Sequence, residues 1–301
     1  MAKIKLEIDT ETTELEITRK VQVVTHPKIR VISAISISQL LQDAFTSGVS
    51  NNNADIKFFP GNGYKKNDIH KLKTVIHNNN SADLIVTAGG LAPYQAASSD
   101  ATISFICVTG AVPSNPTGNF KGCASLESAK SNGDRINILL GKNFALSEIG
   151  LFYNPNSYMT SEVGDWNNLV GTNTQVFVGG NDSNGDNNSA AYATDFTAAK
   201  IPTTIKALVV SGDPFFQDTK ELLIGAANAW IAAAPGGVNR YVCYPTQDYS
   251  NTSGTRPTAN HATLYGPDLA TAYNLLGQVA TVALTGAPPL NIRLQNIRHD
   301  L

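Results

Sequence analysis

The sequence predicts an α/β protein of two lobes, each a doubly wound parallel sheet, and three observations carry the prediction. Short apolar runs recur along the chain, each closing on a turn residue and followed by residues at helical spacing. That alternation runs over 30–110, lapses in a turn-rich stretch at 113–122, and restarts at Glu148. At 301 residues the chain exceeds the usual size of one domain.

Residues 1–26 read differently from the rest of the chain. Ile4, Leu6 and Ile8, then Leu15 and Ile17, then Val21 and Val23 recur at period two around a polar break at 9–13, the pattern of a β-hairpin arm. A lone hairpin needs another surface for stability. The arm therefore lies on the main body or on a second copy, and the latter would make a homo-oligomer through 1–26.

In the first lobe a strand over 30–36 precedes helical spacing at Leu40, Leu41 and Ala44. A strand over 54–59 leads through a GNG turn to a helix over 67–77. The run SADLIVTA, 81–88, ends at Gly89 and Gly90 before a helix opening at Leu91, and TISFICV, 102–108, ends at Thr109 and Gly110. The loop PSNPTGNFKG, 113–122, is the expected first crossing, which gives 27–118 and 262–301 as lobe 1 and 119–261 as lobe 2.

In the second lobe a helix over 134–140 precedes the strand EIGLFY, 148–153, which closes on Asn154 and Pro155. A strand over 175–178 leads to the polar loop GGNDSNGDNNS and a helix over 190–199. The run 207–210 fits a strand buried on both faces. Gly212 and Asp213 break it, and a helix starts at once: Asp213 can accept from its amides, Pro214 suits its first position, and Asp218 with Glu221 offers a second cap. A strand over 240–243 ends in Tyr244, Pro245 and Thr246, and 247–260 is turn-rich and expected to be mobile. After a short strand at 261–265, Asp268 opens a long helix whose stripe Leu269, Tyr273, Leu276, Ala280 and Ala283 buries one face. A strand over 290–294 closes the pattern.

Ligands of open parallel sheets sit beyond the carboxyl ends of the strands, where Asp213, Phe215 and Phe216 would project. A carboxylate beside two rings suits a small amphipathic ligand carrying an amine. The plainer alternative is that Asp213 only caps its helix and the rings only pack, and local sequence does not choose between them.

Several classes are disfavoured. A net charge of −2 with 15% charged residues, and no basic cluster beyond Lys65 and Lys66, argues against nucleic acid. Cys107, Cys123 and Cys243 show no CxxC spacing and read as buried reduced thiols. Asp182, Asn184 and Asp186 resemble the start of a calcium loop, but Asn187 replaces its glycine and Ala193 its glutamate, so no metal site is assigned. The histidines form no HExxH pattern, neither GxGxxG nor a phosphate loop is present, and no cofactor is expected. Without GxSxG or a histidine at a predicted strand end, no catalytic residue is assigned and a non-enzyme is expected. The amino terminus has no apolar signal core and no stretch is long and apolar enough to span a bilayer. As written the chain reads as cytoplasmic; a trimmed mature form would place it in the periplasm or at the cell surface.

Five segments, SADLIVTAGGLAPYQAA, ISFICVTG, IGLFYNPNS, IKALVVSGDPFFQDTKELLIGAA and LYGPDLATAYNLLGQVATVALTGAPP, together resemble the substrate-binding proteins of ABC transporters of the tryptophan/tyrosine type. The resemblance runs from about Arg30 to the carboxyl terminus. It implies a type I periplasmic-binding fold: two Rossmann-like lobes joined by three crossovers, the last helix packing on the first lobe. It also implies a small amino-acid-like, often aromatic ligand bound without catalysis, and an ABC permease as partner. On that resemblance Gly90 and the Leu91 amide would hold a carboxylate, with Thr109 and Gly110 on the same side. Asn154 would face them, Asp213 and Phe215 would receive an amine and its side chain, and Tyr244 would complete the wall. The alternating arm, the long polar 247–260 and the stretch SISQLLQDAFTSG depart from the family pattern. A soluble sensor derived from such a protein would use the same cleft, and a structural or assembly subunit reusing the scaffold, its arms pairing between copies, is the alternative role.

Overall fold

A computed structural model describes residues 26–50, 53–61, 68–110, 112–126, 128–155, 166–170, 175–250 and 254–301. The arm expected over 1–26, and any oligomer through it, lies outside the described residues apart from His26. The first lobe alternates β1 (Lys28–Ser33), α1 (Gln39–Gly48), β2 (Asp55–Phe59), α2 (Ile69–Asn78), β3 (Leu84–Ala88), α3 (Leu91–Ser98), β4 (Ser104–Thr109) and β5 (Asn119–Ser125). The second contains α4 (Ser128–Gly141), β6 (Ile149–Tyr153), β7 (Gln175–Val178), α5 (Tyr192–Asp195), β8 (Ala207–Val210), α6 (Pro214–Asp218), α7 (Lys220–Ala232), β9 (Tyr241–Tyr244) and β10 (Ala262–Gly266). The chain then returns through α8 (Leu269–Leu284) and β11 (Leu290–Arg293) before ending in β12 (Ile297–Asp300).

Two six-stranded sheets result, ordered β11-β5-β4-β3-β1-β2 and β12-β10-β9-β8-β6-β7. Every pairing is parallel except β10 with β12, which is antiparallel. Each sheet is covered on both faces by apolar clusters, so β3 and β8 are buried along their whole length, as near-continuous apolar strands of parallel sheets are. The chain passes between sheets after β5, after β10 and after β11, giving the three crossovers of the type I periplasmic-binding fold.

The crossings fall later than 118 and 261, because β5 pairs with β4 and β10 with β9, while β12 returns to the second sheet. The stretch at 113–122 conceals the start of β5 because that strand is bulged: its register with β4 shifts between Phe105 and Cys107, and Gly122 sits at φ +140°. A Cβ at Gly122 would lie 2.2 Å from the Leu290 carbonyl oxygen, so glycine is what lets β11 approach.

α8 packs back on lobe 1 through glycine contacts. A Cβ on Gly48 of α1 would meet the Asn274 carbonyl oxygen at 1.9 Å, and one on Gly277 would meet the Phe45 carbonyl oxygen at 2.3 Å. The stripe Leu269, Tyr273, Leu276, Ala280 and Ala283 is buried in this contact. Elsewhere the sequence expectation is too regular. The single helix expected after Pro214 breaks at Thr219 into α6 and α7, and the helix expected over 190–199 shrinks to a 3-10 turn and the four residues of α5.

Within 247–260 the described residues make some fixed contacts, although Gly254, Arg256, Ala259 and Asn260 are exposed. Tyr249 is fully buried, and Asn228 of α7 donates to the Arg256 carbonyl at 2.7 Å while accepting from the Thr258 amide at 3.0 Å.

Candidate functional site

The strands of both sheets end toward a common gap, and the turns beyond them wall a cavity of about 550 Å³. From lobe 1 come Ile35–Ser38 after β1, Gly89 and Gly90 after β3, Thr109 and Gly110 at the end of β4, and Tyr273 of α8. From lobe 2 come Gly212 and Pro214, the α6–α7 junction from Gln217 to Leu222, and Pro245, Thr246 and Asp248 after β9. The lobes touch across the gap: the Ser36 amide donates to Asp218 Oδ1 at 3.4 Å, and a Cβ on Gly90 would lie 3.0 Å from Pro214 Cγ.

The structure places the eight residues singled out from the sequence in two groups. Gly90, Thr109 and Gly110 line the cavity, and Leu91 opens α3 directly behind Gly90. Gly90 is the α3 N-cap and has no side chain with which to bond the helix's first amides. Asn154, Asp213, Phe215 and Tyr244 instead lie inside lobe 2, off the cavity wall.

Each of these four has an internal role. Asn154 Nδ2 donates to Asn187 Oδ1 at 2.9 Å. Asp213 Oδ1 accepts from the Phe215 amide at 2.7 Å and so caps α6, as its spacing before Pro214 allowed. Phe215 packs on Tyr192 and Phe216, and Tyr244 stacks on Tyr249 with ring centroids 4.9 Å apart. Burial pushes the Tyr244 hydroxyl far above its ordinary range.

Acidic groups dominate the lobe 2 wall. Asp218, Glu221 and Asp248 line it, against one cation, Lys220, among the described lining residues. Asp218 and Glu221 read in the sequence as a helix cap, yet α7 is entered through Thr219 without a side-chain cap bond, and Asp218 points across to lobe 1. Asp248, which no sequence motif marked, is held above the ordinary carboxyl range by burial, partly offset by Lys220. Its Oδ2 is buried without a hydrogen-bond partner. Thr246 Oγ1 beside it donates to Gln217 Oε1 at 3.4 Å. On the wall opposite, Ile35, Ile37, Leu41 and Val108 supply aliphatic surface beside Ser36, Ser38 and Thr109, and Tyr273 is the one aromatic ring among the described lining residues.

The loop that suggested a calcium site closes on itself: Asp182 Oδ1 accepts from the amides of Asn184 at 2.9 Å and Asp186 at 3.0 Å. Among the described residues no group of three or more histidine, cysteine or acidic side chains is placed to hold a metal, and no helix is long and apolar enough to cross a membrane. Cys107, Cys123 and Cys243 are free and buried.

No protein-family model matches the chain, and no curated protein sequence matches it. Solved structures do. A domain from Streptococcus pneumoniae crystallised with L-Trp aligns with TM-score 0.64 at 15% identity, covering 90% of this chain and 91% of that one. A glucose-galactose binding protein from Geobacillus stearothermophilus aligns with TM-score 0.64 at 8% identity over 92% and 98%. A solute-binding protein of an ABC transporter from Agrobacterium vitis, holding allitol, aligns with TM-score 0.61 at 14% identity over 91% and 95%. At these identities the likeness establishes the type I periplasmic-binding fold. The three named ligand types are an amino acid, sugars and a polyol, so it does not carry the tryptophan/tyrosine specificity that the sequence resemblance implied.

Proposed function

We propose that this chain is a non-catalytic solute-binding protein that closes its lobes around a small organic ligand presenting an amine or hydroxyl donor to Asp248. The observation that supports this reading is the buried, unpartnered Oδ2 of Asp248 on the wall of an interlobe cavity. An unsatisfied buried carboxylate oxygen is costly, and a ligand donor would relieve it. Asp218 and Glu221 add negative charge on the same wall. Opposite them, the uncapped first turn of α3 at Gly90 and Leu91 suits a carboxylate, with Thr109 and Gly110 alongside. An amino-acid-like ligand has both ends of that pattern. With aliphatic residues and Tyr273 forming its apolar side, an aliphatic side chain fits better than an aromatic one.

Thermal unfolding against amino acids, amines and polyols tests the proposal. A ligand at 100 times its dissociation constant adds roughly 2.7 kcal/mol of stability, an easily read rise in Tm. The response should be lost in Asp248→Asn. No response from wild type to any of the three classes would overturn it. An assembly in light scattering that dissolves when 1–26 are deleted would then favour the structural role.

A further inference from the structure

We propose a second binding site, on lobe 2 outside the interlobe cleft, for a single-chain anionic amphiphile of the fatty-acid type. A groove of about 960 Å³ runs beside α7, floored by Ala226, Ala229 and Ala233 and walled by Phe196 and Trp230. Leu222, Ala226, Ala229 and Ala233 succeed one another at four, three and four residues, so they form one stripe along the helix. At about 1.5 Å per residue that stripe is roughly 16 Å long. Apart from Glu221 and Leu222 in the first turn of α7, it shares no lining residue with the cleft.

The end of the groove is what points to a ligand. Arg240 lines it, is only 4% exposed, and lies with its guanidinium carbon 4.6 Å from the Trp230 ring centre. Its sole side-chain hydrogen bond runs from Nη1 to the Trp230 carbonyl; its Nε and the Trp230 indole nitrogen are both buried without a partner, and no carboxylate among the described residues pairs with it. A guanidinium remains charged when buried, and a buried charge without a counter-ion is strongly destabilising. An anion entering the groove relieves that cost.

The rest of the trench offers mainly methyl groups and rings, so a peptide strand or helix would find few partners for its backbone there. An alkyl chain needs none. One buried cation beside an open, mainly apolar groove, with Glu221 near its other end in the first turn of α7, therefore selects a carboxylate with a hydrocarbon tail.

The probe is dodecanoate, titrated below its micellar range into the Trp166→Phe variant, whose single remaining indole is Trp230. Saturable fluorescence change is expected, with dodecanol binding at least tenfold more weakly. Ala229→Leu fills the trench at an exposed helix position and should weaken dodecanoate at least tenfold while leaving the thermal response to a cleft ligand unchanged. Arg240→Gln should do the same wherever it folds. Equal affinity for dodecanoate and dodecanol, full affinity in Ala229→Leu, or no saturable signal would each overturn the assignment.

Discussion

Closure of the two lobes should hinge on the absence of a side chain at Gly90. Gly90 sits at φ +100°, ψ −165°, a region essentially confined to glycine, and a Cβ there would stand 3.0 Å from Pro214 Cγ on the other lobe. Gly90→Ala therefore carries two separable penalties. Backbone strain of about 1–3 kcal/mol is present whether the lobes touch or not, and lowers stability. The clash with the proline ring exists only when they touch; overpacking of this kind costs about 1–3 kcal/mol, which weakens a ligand that requires closure roughly 5- to 150-fold. Pro214 is the first residue of α6, its backbone held by its ring and by the Asp213 cap, so relief of the contact is limited to a change of ring pucker. Thermal unfolding and calorimetric binding read the two penalties separately. In Gly90→Ala/Pro214→Ala the affinity should recover and the stability should not. A Gly90→Ala protein with full affinity, or a double variant whose affinity stays low, would refute the argument that these two residues gate the closed state.

Three further outcomes are expected from the same contacts. Asp248 has a folded pKa raised above its ordinary 3.8 by burial, so its favourable contribution to stability is fully present below that value and is lost as pH rises through the folded pKa. The stability of Asp248→Asn relative to wild type should accordingly rise across that window in urea titrations, and amine affinity of wild type alone should fall as the pH is lowered through it; parallel curves would show that Asp248 does not titrate as described. Gly48→Ala drives a methyl into the Asn274 carbonyl at the α1–α8 contact and should cost about 1–3 kcal/mol or more in the same titrations. Asp213→Ala removes the α6 cap and should cost about 0.5–2 kcal/mol of stability with cleft affinity changed less than twofold; unchanged stability with lost affinity would make Asp213 a ligand contact instead.

How much of this was legible depended on whether a residue's partner was local. β7 and β8 fall where the apolar runs 175–178 and 207–210 put them, and the α8 stripe is buried as its spacing requires, because periodicity reports a nearby core. β5 was hidden because NFKGCAS is shaped by β11, a strand 165 or more positions away that needs Gly122 in its path. β12, IRHD, is exposed throughout and exists because β10 offers it backbone partners from Thr263 to Gly266. The break at Thr219 likewise has a tertiary cause: its hydroxyl bonds both the Phe215 carbonyl and Tyr192 OH at 2.7 Å. At the site, Gly90, Thr109 and Gly110 were readable as strand ends, while Asp248 came from a stretch whose packing depends on Asn228 and the buried Tyr249.

Three aspartates of lobe 2, Asp213, Asp218 and Asp248, show why a carboxylate near a strand end or turn is an ambiguous sign. Such a residue faces two competing sets of donors, the amides of the next helix and whatever enters the cleft. Asp213 directly precedes Pro214, and the extended backbone at 213 brings its oxygen onto the Phe215 amide, so the local helix takes it. Asp218 ends that helix one residue before Thr219, where no side-chain cap to α7 forms, and its carboxylate turns to Ser36 of the other lobe. Asp248 sits in a 3-10 turn too short to offer a free helix end, and one of its oxygens is left without a donor. What separates the three is place: Asp218 and Asp248 line the cavity, while Asp213, its cap bond made, lies buried off the wall. The strongest sequence signal marked the aspartate that the cleft does not reach.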